Sequence, residues 1–270
     1  MTSSDTSTAT KADSVIIVTG ASSGIGRATA LLLAAQGMRV VLAARDRDRL
    51  AEVRSEIGRS GGEALICPTD MRDRSQIDRL VSQALEAYGR IDGIVVNAGT
   101  GCPDGLCTVD DETLIAVLET NLTGAIRCIH AVLPEMLSRK SGRIVVVGSV
   151  TAILPWPGDA VYSTSKAALS HLVPRIRREV HGTGITVSEV IPGVIDTPLS
   201  AGLSGIPKAS PEVVALAVLR CLRTPVKSIV VPRWYRWLFL AHLIAPGLVE
   251  DWIERRFRRV ETSSTPYSKL

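Results

Sequence analysis

The chain has 270 residues, 46% of them apolar, a formal net charge of +4 and five cysteines. That size and apolar content suit one α/β domain with a sheet covered on both faces rather than two domains. The mild charge gives no case for nucleic acid, and cysteines without a Cys-x2-Cys pair, with four scattered histidines, suit reduced thiols and no metal site.

Residues 1–13 are rich in Thr and Ser and read as a disordered leader. They lack the apolar core of a secretion signal and the arginines of an import sequence, which points to the cytoplasm. Residues 14–20, Ser-Val-Ile-Ile-Val-Thr-Gly, form a β-branched run that reads as a buried parallel strand. Thr19, Gly20, Ser22, Ser23, Gly24, Ile25 and Gly26 follow as a glycine turn, and residues 27–37 are helix formers ending on a glycine. Strand, glycine turn and helix together aim backbone N–H groups at an anion, and side chains at the glycines would block a pyrophosphate.

The next strand, residues 39–45, ends in Arg45 where a carboxylate would favour NAD(H). A cation there suits a 2′-phosphate, so NADP(H) is the preferred cofactor, with Arg27 as a second positive charge. Further short strands are predicted at 64–67, 93–96, 143–147 and 185–190, with helical patterns between them. The expected fold is thus a single-domain, Rossmann-like, doubly wound parallel sheet over residues 14–232, with ligands at the carboxyl ends of its strands.

Tyr162 and Lys166 lie four apart, one helical turn from each other. An ammonium there lowers the pKa of a phenol, which makes the phenol a usable general acid/base. Ser149, thirteen positions upstream of Tyr162, offers a hydroxyl to a substrate oxygen. Pro174 falls inside the same helical pattern and predicts a kink or a broken hydrogen bond.

These residues, with Asp70, Asn97-Ala98-Gly99, Asn121 and Pro192-Gly193 to Thr197, make the chain resemble the short-chain dehydrogenase/reductases from about Val15 to Pro198. The resemblance implies that Tyr162 transfers the proton and that Lys166 lowers its pKa and binds the nicotinamide ribose. It implies that Ser149 fixes the substrate oxygen and that Asn121 holds a proton-relay water. Asp70 and Met71 would border the adenine, Asn97, Ala98 and Gly99 the cofactor cleft, and Thr197 with the Ile195 backbone the carboxamide or pyrophosphate.

The loop from 150 to 160 joins Ser149 to Tyr162 and carries Leu154 and Trp156, with Leu199 and Leu203 expected to face them from a short lid. No Arg or Lys stands in that loop to grip an acid. The expected substrate is therefore a hydrophobic carbonyl or secondary alcohol: a lipidic ketone or aldehyde, a steroid, or an acyl-type group. Residues 233–270 depart from the family's ending. They hold three of the four Trp and both Phe, interleaved with arginines, and read as an extension packed on the domain. A peripheral membrane contact through 233–260 is the second reading of this tail. A homodimer is expected. Two rivals to a metal-free carbonyl reductase are a same-fold non-redox or isomerising enzyme and a non-catalytic NADP(H)-sensing protein.

Overall fold

In the computed structural model the described residues are 13–102, 106–156, 160–203 and 207–261. The leader before residue 13, the end of the Ser149–Tyr162 loop at 157–159 and part of the lid at 204–206 lie outside them.

Seven strands, β1 (Val15–Thr19), β2 (Arg39–Ala44), β3 (Ala64–Pro68), β4 (Gly93–Val96), β5 (Gly142–Val147), β6 (Ile185–Pro192) and β7 (Ser228–Val231), form one sheet. Its order is β3-β2-β1-β4-β5-β6-β7, and every pairing is parallel. Parallel neighbours need crossover helices, and these cover both faces. On one face lie α1 (Gly24–Ala35), α2 (Arg47–Arg59) and α7 (Pro211–Arg223). On the other lie α3 (Arg74–Tyr88), α5 (Gly124–Ser138) and α6 (Ala160–Glu179). The two-residue period of a strand sorts the core: Val15 and Ile17 of β1 join the second face, Ile16 and Val18 the first. The strand order reverses direction between β1 and β4, so a crevice opens at the carboxyl ends of these strands.

The expected strands all form, and β7 closes the sheet after an unusual ending. Pro174 does not end its helix: α6 runs twenty residues through it, with the proline exposed. The proline removes the N–H that would have met the Ser170 carbonyl, and its own ring faces water. Burial pushes the Cys67 and Cys221 thiols up to about 11 and Cys128 up to about 12, which keeps these three in the unreactive thiol form.

After β7, α8 (Tyr235–Ile244) and α9 (Pro246–Glu261) form a hairpin. Its inner residues Tyr235, Val249 and Ile253 pack on Val150, Leu154 and Ile191 in a small core of their own. Among the described residues, no helix is long and apolar enough to cross a membrane.

Candidate active site

A cleft of about 560 Å³ lies across the carboxyl ends of the central strands. The glycine turn forms its floor. Gly20 and Gly24 sit at φ +68° and +51°, where a side chain is strained. A Cβ on Gly26 would stand 2.0 Å from the Gly20 carbonyl oxygen, so only glycine lets α1 begin this close to β1. Ser22, Ser23, Gly24 and Ile25 line the cleft. The first turn of α1 holds no acid, so the positive end of the helix is uncompensated. Thr19 is buried behind the turn: its Oγ1 accepts the N–H groups of Asn97 (2.9 Å) and Ala98 (3.0 Å), and Asn97 Nδ2 donates to the Thr19 carbonyl (3.0 Å). These bonds tie the end of β4 to the end of β1. Across the cleft, Thr197 stands against Gly24, 2.9 Å from where its Cβ would be.

At one end of the cleft stands Arg45. The neighbouring Asp46 caps α2 by accepting the Arg49 N–H (3.0 Å), and it also pairs with the Arg49 side chain (3.3 Å). Arg49 reaches the cleft as well. Arg27, expected as the second cation, instead pairs with Glu56 beyond the cleft wall. Asp70 lines the cleft beside Met71, and its carboxylate is held below the usual range chiefly by Arg72, whose Nη2 lies 2.7 Å away.

The other end gathers Ser149, Tyr162 and Lys166. Lys166 is buried one turn along α6 from Tyr162, with its Nζ 5.8 Å from the ring centre, and donates to the Val147 carbonyl (3.0 Å). Burial pulls its pKa down to about 8, against the raising effect of Glu189. Ser149 Oγ accepts from the Thr151 N–H (3.2 Å) and the Thr151 hydroxyl (2.9 Å), which fixes its direction at the mouth of β5.

Asn121 lies behind the cleft wall, fully buried in a π-helical turn (Glu119–Thr123) between α4 (Asp111–Leu118) and α5. Such turns redirect a side chain that an α-helix would aim elsewhere. Its Oδ1 accepts the Thr100 N–H (2.8 Å), and its Nδ2 donates to the Thr100 carbonyl (2.9 Å) and Ser165 Oγ (3.0 Å). A Cβ on Gly99 would meet both Asn121 Oδ1 and Lys166 Nζ, so this glycine is the seam between the two residues.

Ala98, Gly99, Pro192, Gly193, Ile195 and Thr197 line the cleft as the motifs imply, and so do Trp156, Leu199 and Leu203. Leu154 does not. It turns inward onto the α8–α9 hairpin with Tyr235 and Val249, because the short 3-10 turn Val150–Ala152 rotates it off the cleft. Two contacts escape sequence reasoning. Glu189 of β6 lies buried beneath Gly148, accepts from Ser170 Oγ and has a carboxyl pKa raised by burial. Tyr235 packs directly on Gly193, where a Cβ would sit 2.0 Å from its ring, and its Oη accepts the Val194 N–H (3.4 Å).

A parallel sheet with a phosphate-type glycine turn on the floor of a cleft, Arg45 at one end and a Ser, a Tyr and a Lys at the other has the make-up of a nucleotide-dependent oxidoreductase. The family model for short chain dehydrogenases matches residues 14–205, and the chain belongs to the short-chain dehydrogenase/reductases. It is 40% identical to an uncharacterized oxidoreductase, Lin0452, of Listeria innocua over 187 residues, 68% of this chain and 75% of that protein. It is 39% identical to a 3-oxoacyl-(acyl-carrier-protein) reductase of Synechocystis over 194 residues, 72% of this chain and 78% of the relative. Among solved structures it resembles a short-chain dehydrogenase/reductase from Mycobacterium marinum (TM-score 0.78, 29% identity, 83% of this chain and 96% of the other). It also resembles an alcohol dehydrogenase from Thermococcus sibiricus complexed with 5-hydroxy-NADP (TM-score 0.74, 29% identity, 81% and 95%).

Proposed function

We propose that this enzyme is an NADP(H)-preferring reductase of hydrophobic carbonyl compounds, reversible toward the secondary alcohol and independent of metal. The observation that carries the reading is the two-ended cleft: Arg45 and Arg49 at one end, Ser149, Tyr162 and Lys166 at the other.

NADP(H) supplies or accepts the hydride when bound. The glycine turn and the start of α1 would hold its pyrophosphate, Arg45 and Arg49 its 2′-phosphate, and Lys166 its nicotinamide ribose. Ser149, its lone pairs oriented by Thr151, donates to the carbonyl oxygen where negative charge develops. Tyr162 passes its proton to that oxygen, and the Lys166 ammonium stabilises the phenolate left behind. Asn121 keeps the Thr100–Gly99 backbone and Ser165 in register beside Lys166, a position suited to proton resupply. Trp156, Leu199 and Leu203 give the substrate end an apolar wall, which supports a lipidic ketone or aldehyde, a steroid or an acyl-type group. The name of the Synechocystis relative is in line with the acyl type, and the bound dinucleotide of the Thermococcus neighbour with NADP(H). A homodimer is part of this reading. We read the protein as cytoplasmic, with a peripheral membrane contact through 233–260 as part of the same proposal.

Fluorescence titration tests the cofactor reading. The wild type is expected to bind NADPH at least tenfold more tightly than NADH, and Arg45→Asp to remove or reverse that preference. Equal or tighter NADH binding by the wild type overturns the reading of Arg45.

A further inference from the structure

The α8–α9 hairpin has two apolar sides, and its packing on the domain uses only one. Tyr235, Val249 and Ile253 face inward. Outward, Trp237, Leu243 and Ile244 are 74%, 80% and 75% exposed, and Leu248 and Trp252 of α9 stand exposed beside them. An apolar groove of about 420 Å³ runs between the two helices. Proteins that act alone in water seldom keep so continuous an exposed apolar face.

The charges on this face identify what covers it. α8 contains no acidic residue; its outer side carries Arg236, with Arg233 and Trp234 just before it. On α9, Leu248, Trp252 and Arg255 share a face at i, i+4 and i+7, while Glu250 and Glu254 fall on the opposite side and Asp251 is paired with Arg255 (3.9 Å). The resulting surface joins tryptophans, leucines and arginines. A second copy docking α8 on α8 about a two-fold axis would set an acid-free, arginine-bearing helix against itself, and the acid of α9 nearest this face, Asp251, is already paired with Arg255. Lipid phosphates match it instead.

We infer that the outer face of the α8–α9 hairpin docks on an anionic lipid surface, with Trp237, Leu243, Ile244 and Trp252 entering the acyl boundary and Arg233 and Arg236 meeting phosphates. The inner side of the hairpin touches Leu154 and Trp156, so docking brings the apolar end of the catalytic cleft beside the membrane, where a lipidic carbonyl resides. This inference rests on the peripheral-contact part of the reading above and stands apart from the cofactor assignment.

The test is co-sedimentation of the full-length protein with vesicles of pure phosphatidylcholine and of phosphatidylcholine mixed with phosphatidylglycerol. NADPH titration and circular dichroism on the same samples report separately on the cofactor reading and on folding. The wild type is expected to bind the anionic vesicles about tenfold or more tightly than the neutral ones, with binding weakened by salt. The double variant Trp237→Ser, Ile244→Ser is expected to lose vesicle binding while keeping its NADPH affinity. Absence of wild-type sedimentation on either vesicle, or equal sedimentation of the folded double variant, overturns the inference. So does a dimer seen by light scattering that the double variant abolishes without any vesicle binding, which would make this face a contact between copies.

Discussion

Tyr162→Phe is expected to lower NADPH-dependent turnover about 10³-fold while leaving the cofactor dissociation constant within a few-fold of wild type. The substitution removes one oxygen from a ring whose position depends on other groups. α6 sets the backbone, and Lys166 holds to the Val147 carbonyl independently of the phenol. Ser165 Oγ, bonded to the Tyr162 carbonyl (2.6 Å) and to Asn121, fixes the turn that carries the ring. Proton transfer should therefore be lost with little change in binding. Single-turnover kinetics and a fluorescence titration separate the two quantities. Retention of more than a tenth of the wild-type rate would mean that the proton comes from elsewhere, and unchanged biological output without turnover would favour the sensing rival.

Gly26→Ala is expected to cost about 3–5 kcal/mol of stability and to abolish NADPH binding. Its new methyl would lie 2.0 Å from the Gly20 oxygen, 2.6 Å from the Gly20 carbonyl carbon and 2.7 Å from Asn97 Nδ2. None of these can yield cheaply. Gly20 directly follows β1, and Asn97 is bonded back to the Thr19 carbonyl. Relief requires α1 to lift from the sheet, which opens the anion site at its N-terminus. Gly58→Ala is the control: it lies inside α2 with nothing within 4 Å of its Cβ, and alanine there should stabilise by about 0.5–1 kcal/mol. Thermal melts of the two variants give the contrast directly.

Much of this molecule is legible in its sequence because its signals are local. Most strands are short apolar runs, and the glycine turn needs glycine for reasons of backbone approach that hold wherever the motif folds. Tyr162 and Lys166 meet because a helix brings i and i+4 together. What was not legible depends on packing between distant segments. Arg27 reads as a second cation for a phosphate until α2 puts Glu56 beside it, and Arg49, which the sequence did not single out, is the one left at the cleft. Leu154 reads as a pocket residue until the hairpin, about eighty positions later, offers it a core. Glu189 is a buried acid in β6 beside Thr186 and Ser188, and only the placing of β6 under Gly148 and α6, with Ser170 as hydrogen-bond donor, accounts for a carboxylate there. Pro174 breaks a helix rule, but it falls on the solvent side where the cost is small.

The most direct measurement is NADPH consumption by the purified enzyme over a matched carbonyl panel: long-chain ketones and aldehydes, a steroidal ketone, a 3-oxoacyl thioester and small charged keto acids. The account predicts hydride transfer without added metal and a kcat/KM at least about tenfold higher for the hydrophobic members than for the keto acids, since Trp156, Leu199 and Leu203 reward apolar contact. A preference for the keto acids would contradict the assigned substrate class, and no hydride transfer to any member by protein that binds NADPH would contradict the reductase reading.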